Sequence, residues 1–146
     1  MNTHSKFIGY LLWIVGFTGA HRFYFGKPLT GTLWFCTGGF FLVGWLIDVF
    51  LIPGMDRRAD RRYAAGSIDY SIGWLLLTFL GFLGAHRLYM GKWISALVFL
   101  LISGLAVLMP PLVVLVILAY VIDLYTLNGQ MDAHNRRVFR LRKLII

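Results

Sequence analysis

The sequence has no glutamate, a single cysteine and few charged residues of either sign. Charged residues make up 14% of the 146 residues, against about a quarter in an ordinary soluble domain. One cysteine, Cys36, excludes an intrachain disulfide framework or a multi-cysteine metal site. Hydrophobic residues make up 59%, which leaves too little polar surface to cover a water-soluble globule. The composition therefore predicts a polytopic membrane protein.

The charges that are present are mostly basic, and they are clustered. Fourteen Lys and Arg residues stand against six Asp residues, a balance that by itself also suits nucleic-acid binding. Four arginines fall in Asp56–Arg62 and five basic residues in Arg136–Lys143, and each cluster follows a long apolar run. This pattern is typical of cytoplasmic segments beside a membrane, where Lys and Arg meet anionic lipid head groups. We therefore expect membrane lipids, not nucleic acid, as partners.

A twelve-residue segment occurs twice. Gly16–Lys27 aligns without gaps on Gly81–Lys92, and nine of the twelve positions are identical. Each copy is followed by a longer apolar run with a lone aspartate near its end. The same order of features predicts a duplication. We expect a first two-helix repeat at 5–55, a basic linker at 56–69, a second repeat at 70–131 and a basic amphipathic tail at 132–146.

The first apolar run of each repeat is short for a membrane span. A span needs about 20 residues, which Phe7–Ala20 and Ile72–Ala85 reach only if the helix continues through the turn that follows. Phe7–Ala20 also resembles a signal peptide. Because its terminal Gly-Ala recurs deep inside the chain at Gly84-Ala85, we expect a retained first span.

The second apolar run of each repeat contains a helix breaker. Ile94–Leu127 is 34 residues long with Pro110-Pro111 near its middle, where Leu29–Ile52 has Gly38-Gly39. Proline interrupts a helix and glycine weakens it, so we expect both second helices to be bent or broken. Splitting the last run at the prolines would give five spans. Four are favoured because Met109–Leu112 has no polar residue for a water interface.

The predicted fold class is thus an all-α integral membrane protein with four transmembrane helices arranged as two tandem helical hairpins. In this topology ten basic residues lie on one side and four, within the two repeated turns, on the other. The excess predicts a multi-pass protein of the cell membrane with both termini in the cytoplasm and both turns outside.

The repeated Gly-Ala-His-Arg-x-Tyr-x-Gly-Lys segment is the strongest local motif. It suits a turn at a membrane interface, with Arg and Lys reaching phosphates and Tyr among the head groups. A functional alternative is that His and Arg grip a lipid phosphate or a partner protein, since the planar guanidinium donates two hydrogen bonds at once. The candidate lipid- or partner-binding residues are His21, Arg22, Tyr24, Lys27, His86, Arg87, Tyr89 and Lys92.

The lone aspartates, Asp48 and Asp123, are intramembrane acidic residues and need partners, because a charge within hydrocarbon is costly. The following basic residues are candidates, Arg57 or Arg58 for the first and Arg136 or Arg137 for the second. A straight hairpin puts each aspartate at the end away from its own His-Arg turn, so a direct His–Asp pair is not expected unless the second helix bends. A small transporter or ion-conducting oligomer using both aspartates is the alternative function.

The sequence shows no catalytic set. It lacks a His-x-x-x-His pair, a phosphate-binding glycine loop and a nucleophile elbow. His21 and His86 alone would make a poor metal site. We therefore expect no enzyme, no metal and no cofactor.

Two segments of the first repeat, Gly19–Gly26 and Gly44–Asp48, resemble the two-transmembrane (TM-two) domain family. The resemblance covers roughly Ser5–Ile52 and, more loosely, Ser71–Leu127. It implies an integral membrane protein with no established biochemical activity. The second copy departs from the pattern, since Leu88 replaces the usual Phe and ten extra residues precede Asp123. The function indicated is a non-catalytic module that binds lipid or a partner membrane protein, with a homo-oligomer among the possibilities.

Overall fold

The computed structural model describes residues 2–15 and 18–145, without the side chains of residues 15, 142, 144 and 145. The described part of the chain contains helices joined by turns and has no strand, so the all-α prediction is confirmed. Gly16 and Phe17 of the repeated segment lie outside the described residues. The helices are α1 (Lys6–Val15), α2 (Ala20–Tyr24), α3 (Pro28–Phe41), α4 (Val43–Arg62), α5 (Tyr70–Leu80), α6 (Ala85–Tyr89), α7 (Trp93–Leu108) and α8 (Val113–Ile145), with 3₁₀ turns at Gly81–Leu83 and Pro110–Leu112.

The repeated segment forms a short helix that doubles back along the helix before it. In the first repeat this is α2, and the Tyr24 hydroxyl accepts a hydrogen bond from the backbone N–H of Ser5 at 2.7 Å. In the second it is α6, and Tyr89 accepts a similar bond, one position earlier in the repeat, from Asp69 N at 2.9 Å. The end of each His-Arg segment therefore lies beside the start of its own repeat.

The second apolar run of each repeat reverses direction. Between α3 and α4 the backbone from Gly38 to Leu42 has positive φ at every residue, and the two helices then pack as an antiparallel pair. A Cβ on Gly44 would lie 2.6 Å from the Trp34 ring, so only glycine allows this approach. Between α7 and α8 the reversal is made by the 3₁₀ turn at Pro110–Leu112. The predicted breaks are confirmed, but each is a full reversal, and a repeat is not a simple two-helix hairpin.

Because the chain reverses direction in both repeats, the charged residues outside the helix cores lie at one end of the molecule. Arg62 Nη1 donates to the carbonyl of Gly26 at 3.1 Å, and Lys92 bonds to Gln130. The side chain of Asp60 accepts from Thr3 N at 2.6 Å. We call this region the charged end, and the region of the α3–α4 and α7–α8 reversals the apolar end. The expectation that the His-Arg turns lie opposite the basic linker is therefore wrong.

The two repeats pack against each other through a polar contact inside the core. Asn128 on α8 donates to the carbonyls of Phe23 and Tyr24 at 3.0 and 2.9 Å. Its side-chain oxygen accepts from the indole N–H of Trp74 at 2.7 Å. Each bond satisfies a buried polar group, so Asn128 fixes the position of α8 against the first repeat. Nothing in the hydrophobic pattern indicated this role.

One helical segment in the described part of the chain, Pro110–Leu141, is long and apolar enough to cross a membrane by length and composition. The helices Trp93–Leu108 and Tyr70–Leu83 are apolar but shorter. The predicted amphipathic tail is the continuation of α8. Arg136, Arg137 and Arg140 are exposed along it, but Leu141 is exposed as well, and the side chain of Ile145 lies outside the described residues.

Candidate functional site

The first repeat contains a buried cluster of three ionisable side chains. His21 Nε2 lies 2.7 Å from Asp48 Oδ2. The guanidinium of Arg22 binds the same carboxylate with two bonds, from Nε to Oδ2 at 2.7 Å and from Nη2 to Oδ1 at 2.5 Å. His21 and Asp48 have no solvent-accessible surface in the protein. The carboxylate is thus held by a bidentate arginine and a histidine.

The second repeat contains the same three residue types in contact, but its arginine is bound differently. His86 Nε2 lies 2.8 Å from Asp123 Oδ2, and Arg87 Nη2 donates to that oxygen at 2.7 Å. Arg87 Nη1 turns to the hydroxyl of Ser95 at 2.5 Å. The Arg87 side chain is 17% exposed, against 8% for Arg22. We call the two clusters the triads, and the second is the less buried.

The reversal within each second run explains why the triads form. On one straight helix from Leu29 to Ile52, Asp48 would lie far from the His-Arg segment. Because the chain turns back at Gly38–Leu42, α4 passes beside α2 and brings Asp48 to His21. The same contact forms after the reversal at Pro110–Leu112, where α8 carries Asp123 back to His86. The pair was excluded only for a straight second helix, and the break in each second run allows it to form.

The aspartates do not use the basic residues that follow them. Asp48 is bound by His21 and Arg22, not by Arg57 or Arg58. Likewise Arg136, one of the partners expected for Asp123, instead pairs with Asp132 at 2.7 Å. The adjacent basic clusters therefore remain at the surface of the charged end.

An aromatic ring covers each arginine of the triads. The Arg22 guanidinium carbon lies 3.5 Å from the centroid of the Trp34 ring, and that of Arg87 lies 4.9 Å from Phe99. Trp34 and Phe99 have the same spacing from their repeated segments, so extending the repeat alignment would have found them. A cation over an aromatic face gains electrostatic attraction, and more when it is desolvated. The rings therefore stabilise the buried guanidinium groups, although the indole N–H of Trp34 is itself buried without a partner among the described residues.

The hydrogen bonds indicate the charge state of each triad. A carboxylate accepts, so the Nε2 atoms of His21 and His86 carry the proton. Their Nδ1 atoms are buried and have no hydrogen-bond partner among the described residues. A proton there would be an unsatisfied buried donor, which costs free energy. With the histidines counted as neutral, as in the formal net charge, each triad balances one arginine against one aspartate and has no net charge.

The remaining candidate residues are distributed unevenly. Tyr24 is fully buried, and its hydroxyl also bonds to Ser71 Oγ at 2.8 Å, across to the second repeat. Tyr89 and Lys27 are partly buried, and Lys92 is exposed. Of the predicted lipid-binding residues, Lys27, Lys92, Tyr89 and Arg87 thus keep some surface that a ligand could reach. The buried His21, Arg22 and His86 bind the aspartates instead.

A second buried cluster, at the charged end, was missed from the sequence. His4 packs among the rings of Tyr24, Phe25, Tyr63 and Tyr70, and it stacks on Tyr70 with the centroids 4.7 Å apart. Burial lowers the pKa of His4 from 6.5 to about 4, although nearby Asp60 favours the charged form. The His4 backbone N–H donates to Asp60 at 3.0 Å. The cluster fastens the N-terminal segment to α4.

The family model of the TM2 domain matches the chain twice, over residues 2–50 and 67–123. The two segments together cover more than half of the chain. The chain belongs to the TM2 domain family. Each matched segment contains one complete triad, which supports a duplication of the domain. Together with the apolar helix at Pro110–Leu141, membership of this family indicates a membrane protein.

Curated relatives carry the same domain name. A TM2 domain-containing protein of Dictyostelium discoideum is 44% identical over 64 residues, which are 43% of this chain and 42% of the relative. TM2 domain-containing protein 1 of Homo sapiens is 55% identical over 56 residues, 38% of this chain and 27% of the relative. The chain thus covers less than half of the length of these relatives. No solved structure gives a significant match.

Proposed function

We propose that this TM2 protein is a non-catalytic membrane module whose charged end binds anionic phospholipid head groups at the cytoplasmic surface. The observation that carries the proposal is the separation of charge. Since the triads are neutral as units, the whole formal net charge of +8 lies outside them. Basic residues beside an anionic bilayer each contribute about 1 kcal/mol of attraction. The triads themselves link neighbouring helices through hydrogen bonds and ion pairs.

A cleft between the two repeats is our candidate site for a lipid head group. It has a volume of about 370 Å³ and is lined by Arg62, Arg136 and Asp132 together with apolar parts of Phe23, Leu124 and Tyr125. Arg62 donates one bond to Gly26, and Arg136 bonds to Asp132 and to the carbonyl of Arg62. A guanidinium has five N–H donors, so both retain donors for a phosphate. The apolar wall suits the upper part of an acyl chain.

The orientation follows from the same distribution. Lys27 and Lys92, which the sequence assigned to the outside, lie at the charged end with the basic linker and the end of α8. Basic residues accumulate on the cytoplasmic side of membrane proteins. This supports a cytoplasmic location for the charged end, including the N-terminal segment and the end of α8.

Ion transport through the aspartates has less support. Asp48 and Asp123 each have an arginine and a histidine within hydrogen-bonding distance. A carboxylate that is already neutralised offers little attraction to a passing cation. We therefore assign the aspartates to the internal structure.

The test compares two lipids in thermal unfolding of the detergent-purified protein. We expect phosphatidylglycerol to raise the melting temperature more than phosphatidylcholine does. The Arg62→Gln and Arg136→Gln variants should lose most of this lipid-dependent shift. Arg57→Gln removes the same charge from an exposed site outside the cleft and should keep most of it.

The shift with added lipid is compared within each variant, so a loss of basal stability does not affect the result. Equal shifts with the two lipids would contradict anionic lipid binding. A phosphatidylglycerol shift that survives in both cleft variants would contradict the assignment of the cleft.

A further inference from the structure

The second repeat covers one face of the first repeat, which is formed by α2 and α3. Helices α5 and α8 pack on α2, and the ring of Tyr125 on α8 lies edge-on to that of Phe23, with the centroids 5.5 Å apart. The Tyr125 hydroxyl is hydrogen-bonded to the hydroxyl of Thr32 on α3. Phe23 is only 4% exposed. The α2–α3 face of the first repeat is therefore a site where a helix of another repeat docks.

The equivalent face of the second repeat is open. The alignment of the repeated segments places Leu88 at the position of Phe23, and Leu97 at that of Thr32. Leu88 is 41% exposed and Leu97 58%. Both line an apolar groove of about 300 Å³ between α6 and α7. We call it the α6–α7 groove, and it lies where the first repeat receives α8.

The helix that matches this groove is also uncovered. When Asp48 is aligned on Asp123, Phe50 on α4 takes the position of Tyr125. Phe50 is 82% exposed, so its ring faces away from its own chain. Each chain thus carries both halves of a second repeat-to-repeat contact, a groove on the second repeat and an aromatic ring on the first.

The side chains on the two uncovered surfaces match each other chemically. In the internal contact, Thr32 and Tyr125 form a pair of hydroxyl groups. The residues at their positions, Leu97 and Phe50, are both apolar. A hydroxyl on one side alone would be buried without a partner, which costs free energy. The second contact therefore has no unpaired polar group at its centre.

The internal contact can be repeated between chains within one membrane. The turns that follow α2 and α6 both lie at the charged end, so the two repeats point in the same direction. Copies joined by the same contact keep all their charged ends on one side of the bilayer. Since the contact joins two different faces, it is heterologous, and it produces a ring or an open row of copies.

We infer that the α6–α7 groove binds α4 of a second copy of this chain, with Phe50 of that copy packed against Leu88 and Leu97. Ala96, a small residue of the groove, allows the close approach of a helix within lipid. Acyl chains would fill the groove without any relation to Phe50, whereas a second copy covers both surfaces at once. The inference does not depend on anionic lipid binding.

The contact between copies should be weaker than the contact between repeats. Asn128, which donates two hydrogen bonds to the backbone of the first repeat, has Pro53 as its counterpart on α4. Proline has no side-chain donor, so the contact between copies depends on packing alone. We therefore expect an association that weakens when the protein is diluted with lipid.

The first test is cross-linking between two single-cysteine chains. Both carry Cys36→Ser, which removes the natural cysteine, and one has Phe50→Cys while the other has Leu97→Cys. The chains are mixed in detergent, reconstituted into phosphatidylcholine vesicles and treated with a short, membrane-permeable bismaleimide. Phe41→Cys and Leu108→Cys, at exposed positions outside the proposed contact, form the matched control pair.

We expect a cross-linked dimer from the mixture of Phe50→Cys and Leu97→Cys chains, and much less from either chain alone or from the control pair. A yield no higher than that of the control pair would show that only collisions occur, and would overturn the inference. A dimer formed best by the Phe50→Cys chain alone would indicate a symmetric contact and would overturn it as well.

The second test uses energy transfer and keeps the natural cysteine. Separate batches of protein are labelled at Cys36, which is exposed, with a donor or an acceptor dye and mixed in phosphatidylcholine vesicles. Phe50→Ala and Leu97→Trp should each remove most of the transfer. Phe41→Ala and Leu108→Trp make the same changes at exposed sites elsewhere and should keep it.

The absence of transfer in the wild type, or transfer that survives in both contact variants, would contradict assembly through this groove. Thermal unfolding of each variant shows whether it is folded. The melting-temperature shift with phosphatidylglycerol should be unchanged in the contact variants, because the cleft lined by Arg62 and Arg136 lies elsewhere. Failure of the assembly would thus leave the lipid-binding proposal standing.

Discussion

Replacing Asp48 by Asn should destabilise the protein much more than the same change at Asp123. Asp48→Asn keeps the shape of the side chain but removes the negative charge that Arg22 and His21 both bind. The Arg22 guanidinium, only 8% exposed, then stays buried without a counter-charge. Breaking a buried ion pair in this way costs about 3–5 kcal/mol.

The cost at Asp123 is smaller because Arg87 has other means of compensation. Its side chain is 17% exposed, and Nη1 keeps its bond to Ser95. The loss then approaches that of buried donors left partly unpaired, about 1–3 kcal/mol. We therefore expect Asp48→Asn to lower the melting temperature by on the order of 10 °C, and Asp123→Asn by a few degrees.

The assay is unfolding of the purified protein in mixed micelles, followed by tryptophan fluorescence. A double-mutant cycle with Arg22→Met isolates the pair, because the double variant has no unpaired guanidinium and should be more stable than the sum of the single changes predicts. Equal losses at the two aspartates, or a loss below about 1 kcal/mol at Asp48, would refute the reasoning.

Two further predictions concern the charged end. Gly26 and Gly91 both have positive φ, but a Cβ on Gly26 would overlap the Tyr63 hydroxyl, whereas space around Gly91 is open. Gly91→Ala should therefore cost about 1–2 kcal/mol of backbone strain and Gly26→Ala clearly more in the same unfolding assay, and equal costs would argue against the Tyr63 contact. The pKa of His4 is about 4 in the folded protein against 6.5, so the unfolded chain binds the extra proton in this window and stability is lost as the pH falls from about 6.5 to 4. The melting temperature of wild type should approach that of His4→Gln as the pH is lowered, and a constant difference between them would contradict the burial of a neutral His4.

Much of the architecture could be predicted from the sequence. The duplication, the helical class and both break points follow from the repeated segment, the apolar runs and the Gly38-Gly39 and Pro110-Pro111 pairs. The degree of bending could not be predicted, because a helix breaker is compatible with either a kink or a reversal. A kink would leave Asp48 far from His21, whereas a reversal brings the two side chains together.

The side on which each charge lies could not be predicted either. Counting basic residues assigns them to sides according to an assumed number of spans, so an error in the spans misplaces Lys27 and Lys92. The contact between Arg62 and Gly26 depends on α2 doubling back along α1. No residue type predicts that α2 returns along α1, since a glycine at the end of a helix suits any tight turn equally well.

The position of the triads explains why such polar groups persist in so apolar a chain. Helices that pack together in a membrane gain little from the hydrophobic effect, because lipid tails are as apolar as their own side chains. Other forces must therefore hold the helices of each repeat together. In each repeat the aspartate lies on the returning arm, the His-Arg pair lies on the preceding short helix, and an aromatic ring on the outgoing arm covers the guanidinium. One neutral cluster thus joins three chain segments while placing no net charge in the membrane, and the burial of Asp48 and Asp123 follows from that task.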